Sequence, residues 1–155
     1  KENNFLLETE HGPMGGDEIN LIDIDKLNDT SPLNYGWAIS SAGEHYGGKD
    51  NPKNKTKYQK YPLYKSHSDY DFIEPLKSFV PSIGISEITK IGKNEYVASS
   101  LKDSSLYFFR LKDKKIINLE RVEVFERVRD LIFKNKTLYL FLENSASIGT
   151  ISLKK

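Results

Sequence analysis

The sequence predicts an all-β protein, and three observations carry the prediction. From Ser86 onward, seven short β-type runs follow one another at close spacing, the rhythm of a sandwich, a barrel or a propeller. Turn chemistry separates them: Gly92-Lys93-Asn94, Lys112-Asp113-Lys114 and Lys134-Asn135-Lys136 place residues that tolerate left-handed backbone angles between the runs. Convincing helical periodicity is scarce along the whole chain.

Taken in order, strands are expected at Asn4 to Thr9, Glu18 to Asp23 and Tyr35 to Ser40. A polar stretch over 41–77 follows, with Gly47-Gly48, three prolines and many lysines. A structureless connection of that length is unusual in a compact domain and tends to be functional or mobile. The regular strands then run over Glu87 to Ile91, Glu95 to Leu101, Ser105 to Leu111, Ile116 to Phe125, Val128 to Phe133, Thr137 to Leu142 and Ser147 to Leu153. Grouped in fours, the first four fill one propeller blade. The last three leave a blade one strand short, and an open strand edge pairs with other chains.

Composition narrows the class. At 155 residues the chain is long enough for one domain with a self-sufficient core. Hydrophobic residues at 37% and charged residues at 29% describe a soluble globular protein rather than a disordered one. A formal charge of +1 creates no field that recruits nucleic acid or a membrane surface. The absence of cysteine excludes disulfides and thiolate metal sites and fits a cytosolic or a periplasmic home. No apolar run approaches the ~20 residues of a membrane-spanning helix. The chain begins without methionine and opens mid-pattern on Phe5-Leu6-Leu7, so an upstream piece is expected.

The stretch Glu10-His11-Gly12-Pro13-Met14-Gly15-Gly16-Asp17-Glu18-Ile19-Asn20 joins glycine freedom, a rigid proline and two adjacent carboxylates just before a strand. Such a corner can turn carbonyl oxygens toward a ligand, and carbonyls with Asp17 and Glu18 make the hard, oxygen-rich surroundings that calcium prefers. A plain Gly-Pro loop with two solvated acids is the alternative on these residues alone. Arg127 and Arg129 lie two apart in a β-type run, so their side chains leave one face of the strand. Two forked guanidiniums on one face suit carboxylates; a solvated strand face with Glu126 and Asp130 as casual neighbours is the other reading.

These motifs resemble those of a known family. Glu-His-Gly-Pro-x-Gly-Gly-Asp-Glu-Ile-Asn, followed by Asn34-Tyr35-Gly36-Trp37, is similar to the signature of the soluble quinoprotein sugar dehydrogenases, which include aldose sugar dehydrogenases and glucose dehydrogenases. The resemblance runs from about Phe5 to Leu153 and implies about three blades of a six-bladed β-propeller, the C-terminal half of such an enzyme. It implies oxidation of an aldose at its anomeric carbon to the lactone, with pyrroloquinoline quinone (PQQ) and calcium as cofactors. By the same resemblance the carbonyls of Gly12 and Pro13 hold the calcium that polarises the quinone, and Asp17, Glu18 and Tyr35 belong to a further calcium region. Glu126-Arg127-Val128-Arg129-Asp130 is similar to the family's Arg-x-Arg-Asp motif, Lys102 to its Leu-Lys segment, and Ser82 to its Trp-x-Pro-Ser/Thr segment. Ser82, Lys102, Arg127 and Arg129 would then contact the tricarboxylate cofactor, three cations meeting three carboxylates.

Departures from the family pattern are visible. Met14 stands where many relatives have arginine, Phe79 replaces a tryptophan, Gly84 and Ile85 replace Ala-Pro, and Glu87 replaces a small residue. The family's hydride-abstracting histidine and its Arg-Asn-Pro-Gln segment have no equivalent here; His45 and His67 stand in contexts unlike it, and His11, where glucose-specific relatives carry glutamine, reads as a structural residue, so no catalytic residue is expected in this chain. The partners implied are a sugar substrate and either a missing N-terminal half or a second copy joined through open strand edges; the implied location is periplasmic or secreted. A different class of function is a non-catalytic, calcium-stabilised propeller module that binds carbohydrate or a protein. Two further features read as incidental. The lysines and tyrosines between Lys49 and Lys65 form a solvated loop rather than a single-strand binding patch, and the acceptor patterns at Asn28, Asn54 and Asn135 are chance matches in an asparagine-rich chain.

Overall fold

The computed structural model describes residues 4–27 and 32–153. They form two compact units, Lys1–Ser82 and Ile83–Lys155. The acceptor pattern at Asn28 falls outside the described residues.

The second unit is built as its rhythm predicts. Strands β4 (Ile85–Lys90), β5 (Glu95–Ser100), β6 (Ser105–Lys112) and β7 (Lys115–Glu123) form one antiparallel four-stranded sheet in sequence order. Strands β8 (Val128–Lys134), β9 (Thr137–Leu142) and β10 (Ser147–Ser152) form a three-stranded one. The grouping into four and three is the one expected from spacing. Asp113 and Lys114 join β6 to β7, and Asn135 and Lys136 join β8 to β9, each pair with both φ angles between 51° and 61°. Two positive φ angles define the two-residue turn whose twist matches a hairpin.

Alternation buries the right faces. In β6 Phe109 and Leu111 are buried while Arg110 and Lys112 are exposed. Val97, Leu106, Val128, Leu131, Leu138 and Leu140 pack into one core shared by the two sheets. Each such side chain removed from water contributes about 1.5–3 kcal/mol, so this core dominates the unit's stability.

The first unit follows different rules. It has one sheet, in the order β1 (Phe5–Glu10), β2 (Asp17–Asp23), β3 (Lys77–Phe79). The pairing of Phe5 with Asp23 through Glu10 with Glu18 fixes its register. The strand expected at Tyr35 to Ser40 is absent. Asn34 Oδ1 accepts from the Gly36 amide at 2.9 Å, and the Gly36 carbonyl accepts from Ile39 and Ser40 at 2.7 and 2.8 Å. Those amides are spent on a local turn, as short polar side chains favour, and only Ser40 makes an isolated bridge, to Tyr64.

The polar stretch is ordered rather than structureless. It holds a 3-10 turn at Pro52–Asn54, helix α1 (Lys55–Lys60) and a 3-10 turn at Ser68–Tyr70. Buried polar side chains do what a ladder would do elsewhere: Asn54 Nδ2 donates to the carbonyls of Tyr46 and Gly48 at 3.0 and 2.8 Å. Asn54 is therefore committed to the fold, which removes it as a sugar acceptor.

Candidate functional site

The Gly-Pro corner lies between β1 and β2. Gly16 has φ +76°, and a Cβ on it would meet the Gly43 nitrogen at 2.3 Å. A Cβ on Gly12 would meet the Gly16 carbonyl oxygen at 2.2 Å. Only glycine allows so close a backbone approach. Met14 and Glu44 exchange two backbone hydrogen bonds, at 2.9 and 3.0 Å, which lash the corner to the following loop. Among the described residues no backbone amide donates to the carbonyl of Gly12 or of Pro13. Two hard oxygens are thus left outside the backbone network.

Asp17 and Glu18 are neighbours in β2, so they face opposite sides of the sheet. Asp17, almost wholly buried, accepts from the Gly12 amide at 3.2 Å and from the Ser82 hydroxyl at 2.7 Å. It braces the corner from beneath. Ser82, assigned by resemblance to the cofactor, is engaged with this carboxylate. Glu18 faces the other way, into a cleft of about 330 Å³ that it shares with Glu10, Tyr35 and Trp37. The Tyr35 hydroxyl donates to the Leu21 carbonyl at 2.9 Å. The structure therefore brings Glu18 and Tyr35 to one cleft, which Gly12 also lines, while Asp17 holds the Gly12 amide and Ser82.

The cleft is electrostatically loaded. Burial pushes the Glu18 carboxyl up to about 7; the Asn20 amide beside it opposes the rise, while the charges of Glu10 and Glu74 reinforce it. Glu10 is raised too, by burial and by its neighbour Glu8. Crowded carboxylates of this kind are relieved by a cation. His67 is buried in the same region, Nε2 lying 3.7 Å from Glu18 Oε1 and Nδ1 3.4 Å from Glu74 Oε2. Glu74 went unread in the sequence, and His67 was read only as unlike the family's base, because nothing in their spacing marks them as neighbours of Glu18. Among the described residues no three His, Asp or Glu side chains are arranged to hold a metal ion by themselves. A metal at the corner would rest on main-chain oxygens, and the Gly12 and Pro13 carbonyls are of the right chemistry.

The other histidines have local roles or positions. His45 is buried, with Nε2 2.8 Å from the Tyr61 carbonyl oxygen and its ring edge-on to Tyr58 at 4.6 Å. His11 is exposed beside the corner.

In the second unit, Arg127 and Arg129 converge as their spacing implies. Arg127 Nε lies 3.2 Å from Glu143 Oε1, and an Arg129 terminal nitrogen bonds Glu143 Oε2. A break in the β8–β9 register between Val128 and Asp130 leaves Val128 inward and both arginines outward. Against its desolvation, the Arg129 hydrogen bond and the two positive charges hold the Glu143 carboxyl below its ordinary value. Lys102 is exposed in the turn after β5, with its amide bonded to the Ile83 carbonyl at 3.0 Å. Its neighbour Asp103 is occupied by Arg121 at 2.7 Å and by the Tyr107 hydroxyl at 2.6 Å.

Comparison with known proteins puts this arrangement in a family. The family model described as Glucose / Sorbosone dehydrogenase matches residues 1–151. An uncharacterized protein of Synechocystis sp. is 29% identical over 131 residues, covering 79% of this chain and 27% of that protein. Among solved structures, the soluble aldose sugar dehydrogenase of Escherichia coli in its apo-form superposes with a TM-score of 0.71 at 21% identity, covering 96% of this chain and 42% of that one. A glucose dehydrogenase gives 0.67 at 25% identity, covering 86% and 37%. The PQQ-bound form of the aldose sugar dehydrogenase of Streptomyces coelicolor gives 0.57 at 19% identity, covering 90% and 34%. The fold is that of part of such a β-propeller. The chain spans about a quarter of the length of the curated relative and less than half of each of these solved ones.

Proposed function

The chain belongs to the glucose/sorbosone dehydrogenase family, and from that premise we propose that it supplies part of a PQQ and calcium site that oxidises an aldose at C1 to the lactone. One observation carries the reading: Arg127 and Arg129 close together on the single carboxylate of Glu143. A planar anion therefore already sits in the fork that a quinone carboxylate would enter. Lys102, exposed and without an ion pair among the described residues, is assigned to a second carboxylate. The Gly12 and Pro13 carbonyls are assigned to calcium. Ser82 is assigned to the cofactor's edge, which requires its hydroxyl to share or leave Asp17.

PQQ held by these residues would supply a hydride acceptor for C1, and calcium at the Gly12 and Pro13 carbonyls would supply its polarisation. This chain's residues bind and orient. Arg127, Arg129 and Lys102 would neutralise carboxylates, and the Gly12 and Pro13 carbonyls would hold the metal. By the resemblance, the group that takes the proton of the anomeric hydroxyl lies outside this chain; within it, His45 is tied to Tyr61 and His67 lies between Glu18 and Glu74. The complete enzyme then needs a further segment of the family, or a second copy, and a periplasmic or secreted setting.

The engagement of Ser82 with Asp17 favours a second reading, a calcium-stabilised module without quinone. PQQ titration followed by absorbance, with and without calcium, separates the two. Quinone uptake that the Arg127→Ala, Arg129→Ala double variant weakens by at least about tenfold, or about 1.4 kcal/mol, supports the dehydrogenase. Stabilisation by calcium with no quinone uptake overturns it in favour of the module.

A further inference from the structure

Lys65 occupies an unusual position for a lysine. Its Nζ lies 3.4 Å from the Ser41 carbonyl oxygen, 3.3 Å from that of Ala42, and in close contact with that of Gly43. Glu44 Oε1 completes the set at 2.8 Å. Three consecutive carbonyls turned onto one point, with a carboxylate beside them, are the donor set of a hard cation. An ammonium is a compact point charge with three donors and can fill such a set. The carboxylate is itself held, since Glu44 Oε2 accepts from the Tyr58 hydroxyl at 2.5 Å. Against its desolvation, the hydrogen bonds from Lys65 and Tyr58 keep the Glu44 carboxyl low and ionised.

The cage lies on the loop that fixes the Gly-Pro corner. Gly43 approaches Gly15 and Gly16 so closely that a Cβ on Gly43 would meet the Gly15 carbonyl oxygen at 2.3 Å, and Glu44 makes the paired hydrogen bonds to Met14. Carbonyls aimed at one point repel one another unless a positive charge stands between them. We propose that the Lys65 ammonium, on a side chain that is 48% exposed, stands where a bound metal ion would otherwise be needed, and that it holds the 41–44 turn against the Gly12–Gly16 corner. Lys65 is a positioning residue. Its contacts are the 41–43 carbonyls and Glu44, and its role does not depend on quinone binding.

The test compares the full chain with Lys65→Ala and Lys65→Met, using calcium alone as the probe. Lys65→Ala empties the cage, so it should melt several degrees lower and bind one more calcium ion per chain than the parent, with calcium restoring the melting temperature. Lys65→Met fills the space without charge, so it should melt lower with no added calcium and no rescue. A Lys65→Ala chain that melts like the parent, or that loses stability without gaining a calcium ion, overturns the proposal. Failure of quinone binding leaves every one of these outcomes unchanged.

Discussion

The two units reach stability by different means. In Ile83–Lys155, order follows from alternation: apolar residues at every second position meet in one core, and two-residue turns close the hairpins. In Lys1–Ser82, a three-stranded sheet carries long excursions whose order comes from glycine packing, buried amides and one lysine on a set of carbonyls. Hydrophobic alternation is redundant, since several side chains share the load. A hydrogen-bonded corner is not, since each group depends on particular partners held in one geometry. The difference teaches where chemistry can be built: redundancy gives a scaffold, and irregular backbone gives oxygens free to face a ligand.

The strongest test of the contrast is a core truncation in the second unit. Leu138 is fully buried in β9 among Val97, Leu106 and Leu140, so Leu138→Ala should cost about 2–5 kcal/mol through lost transfer energy and a residual cavity. Hydrogen exchange should show the loss spread over β5, β6, β8 and β9, because one cooperative core connects them. A loss confined to β9 would mean that the core is not shared.

Next in size is Gly16→Ala. The positive φ alone costs about 1–3 kcal/mol, and the new methyl must displace the Gly43 backbone. The sequence has a single tryptophan, Trp37, beside this corner in the first unit, so its fluorescence reports the change directly. An unaltered Trp37 transition would show that the corner adapts and would weaken the claim that each contact is unique.

How much of this was legible in the sequence follows the same divide. The four-plus-three grouping of strands, the hairpins at Asp113-Lys114 and Asn135-Lys136, and the shared face of Arg127 and Arg129 all follow from local rules, period two or turn chemistry. The corner was legible as a corner because glycine and proline punctuate it. Its internal wiring was not. Asp17 and Glu18 read as a pair, yet strand geometry sends them to opposite faces. Tyr35 to Ser40 read as a strand from its apolar residues, while Asn34 and Gly36 turned it back on itself. The stretch over 41–77 read as solvated because its residues are polar, but Asn54, His45 and His67 are buried, and no sequence rule says which polar side chain will find a partner many residues away.

The smallest expected effect separates the two faces of β2. The Glu18 carboxyl, at about 7 in the folded chain against its ordinary 4.5, keeps a proton that the unfolded chain has already lost. Between those two values the native state binds more protons, so stability falls as pH rises through the window and is greatest below it. Glu74, held low against its desolvation by the Ser68 and His67 hydrogen bonds, acts in the opposite sense only at more acid pH, so the two do not cancel. Denaturation midpoints followed by Trp37 fluorescence in chelator should therefore decline from pH 5 to pH 7 by a modest amount, and Glu18→Gln should flatten that decline. A slope equal in parent and variant would remove Glu18 as its source. Saturating calcium sharpens the result: an ion bound against Glu18 pulls its carboxyl down and erases the slope, whereas an ion bound at the Gly12 and Pro13 carbonyls without touching Glu18 leaves the slope standing.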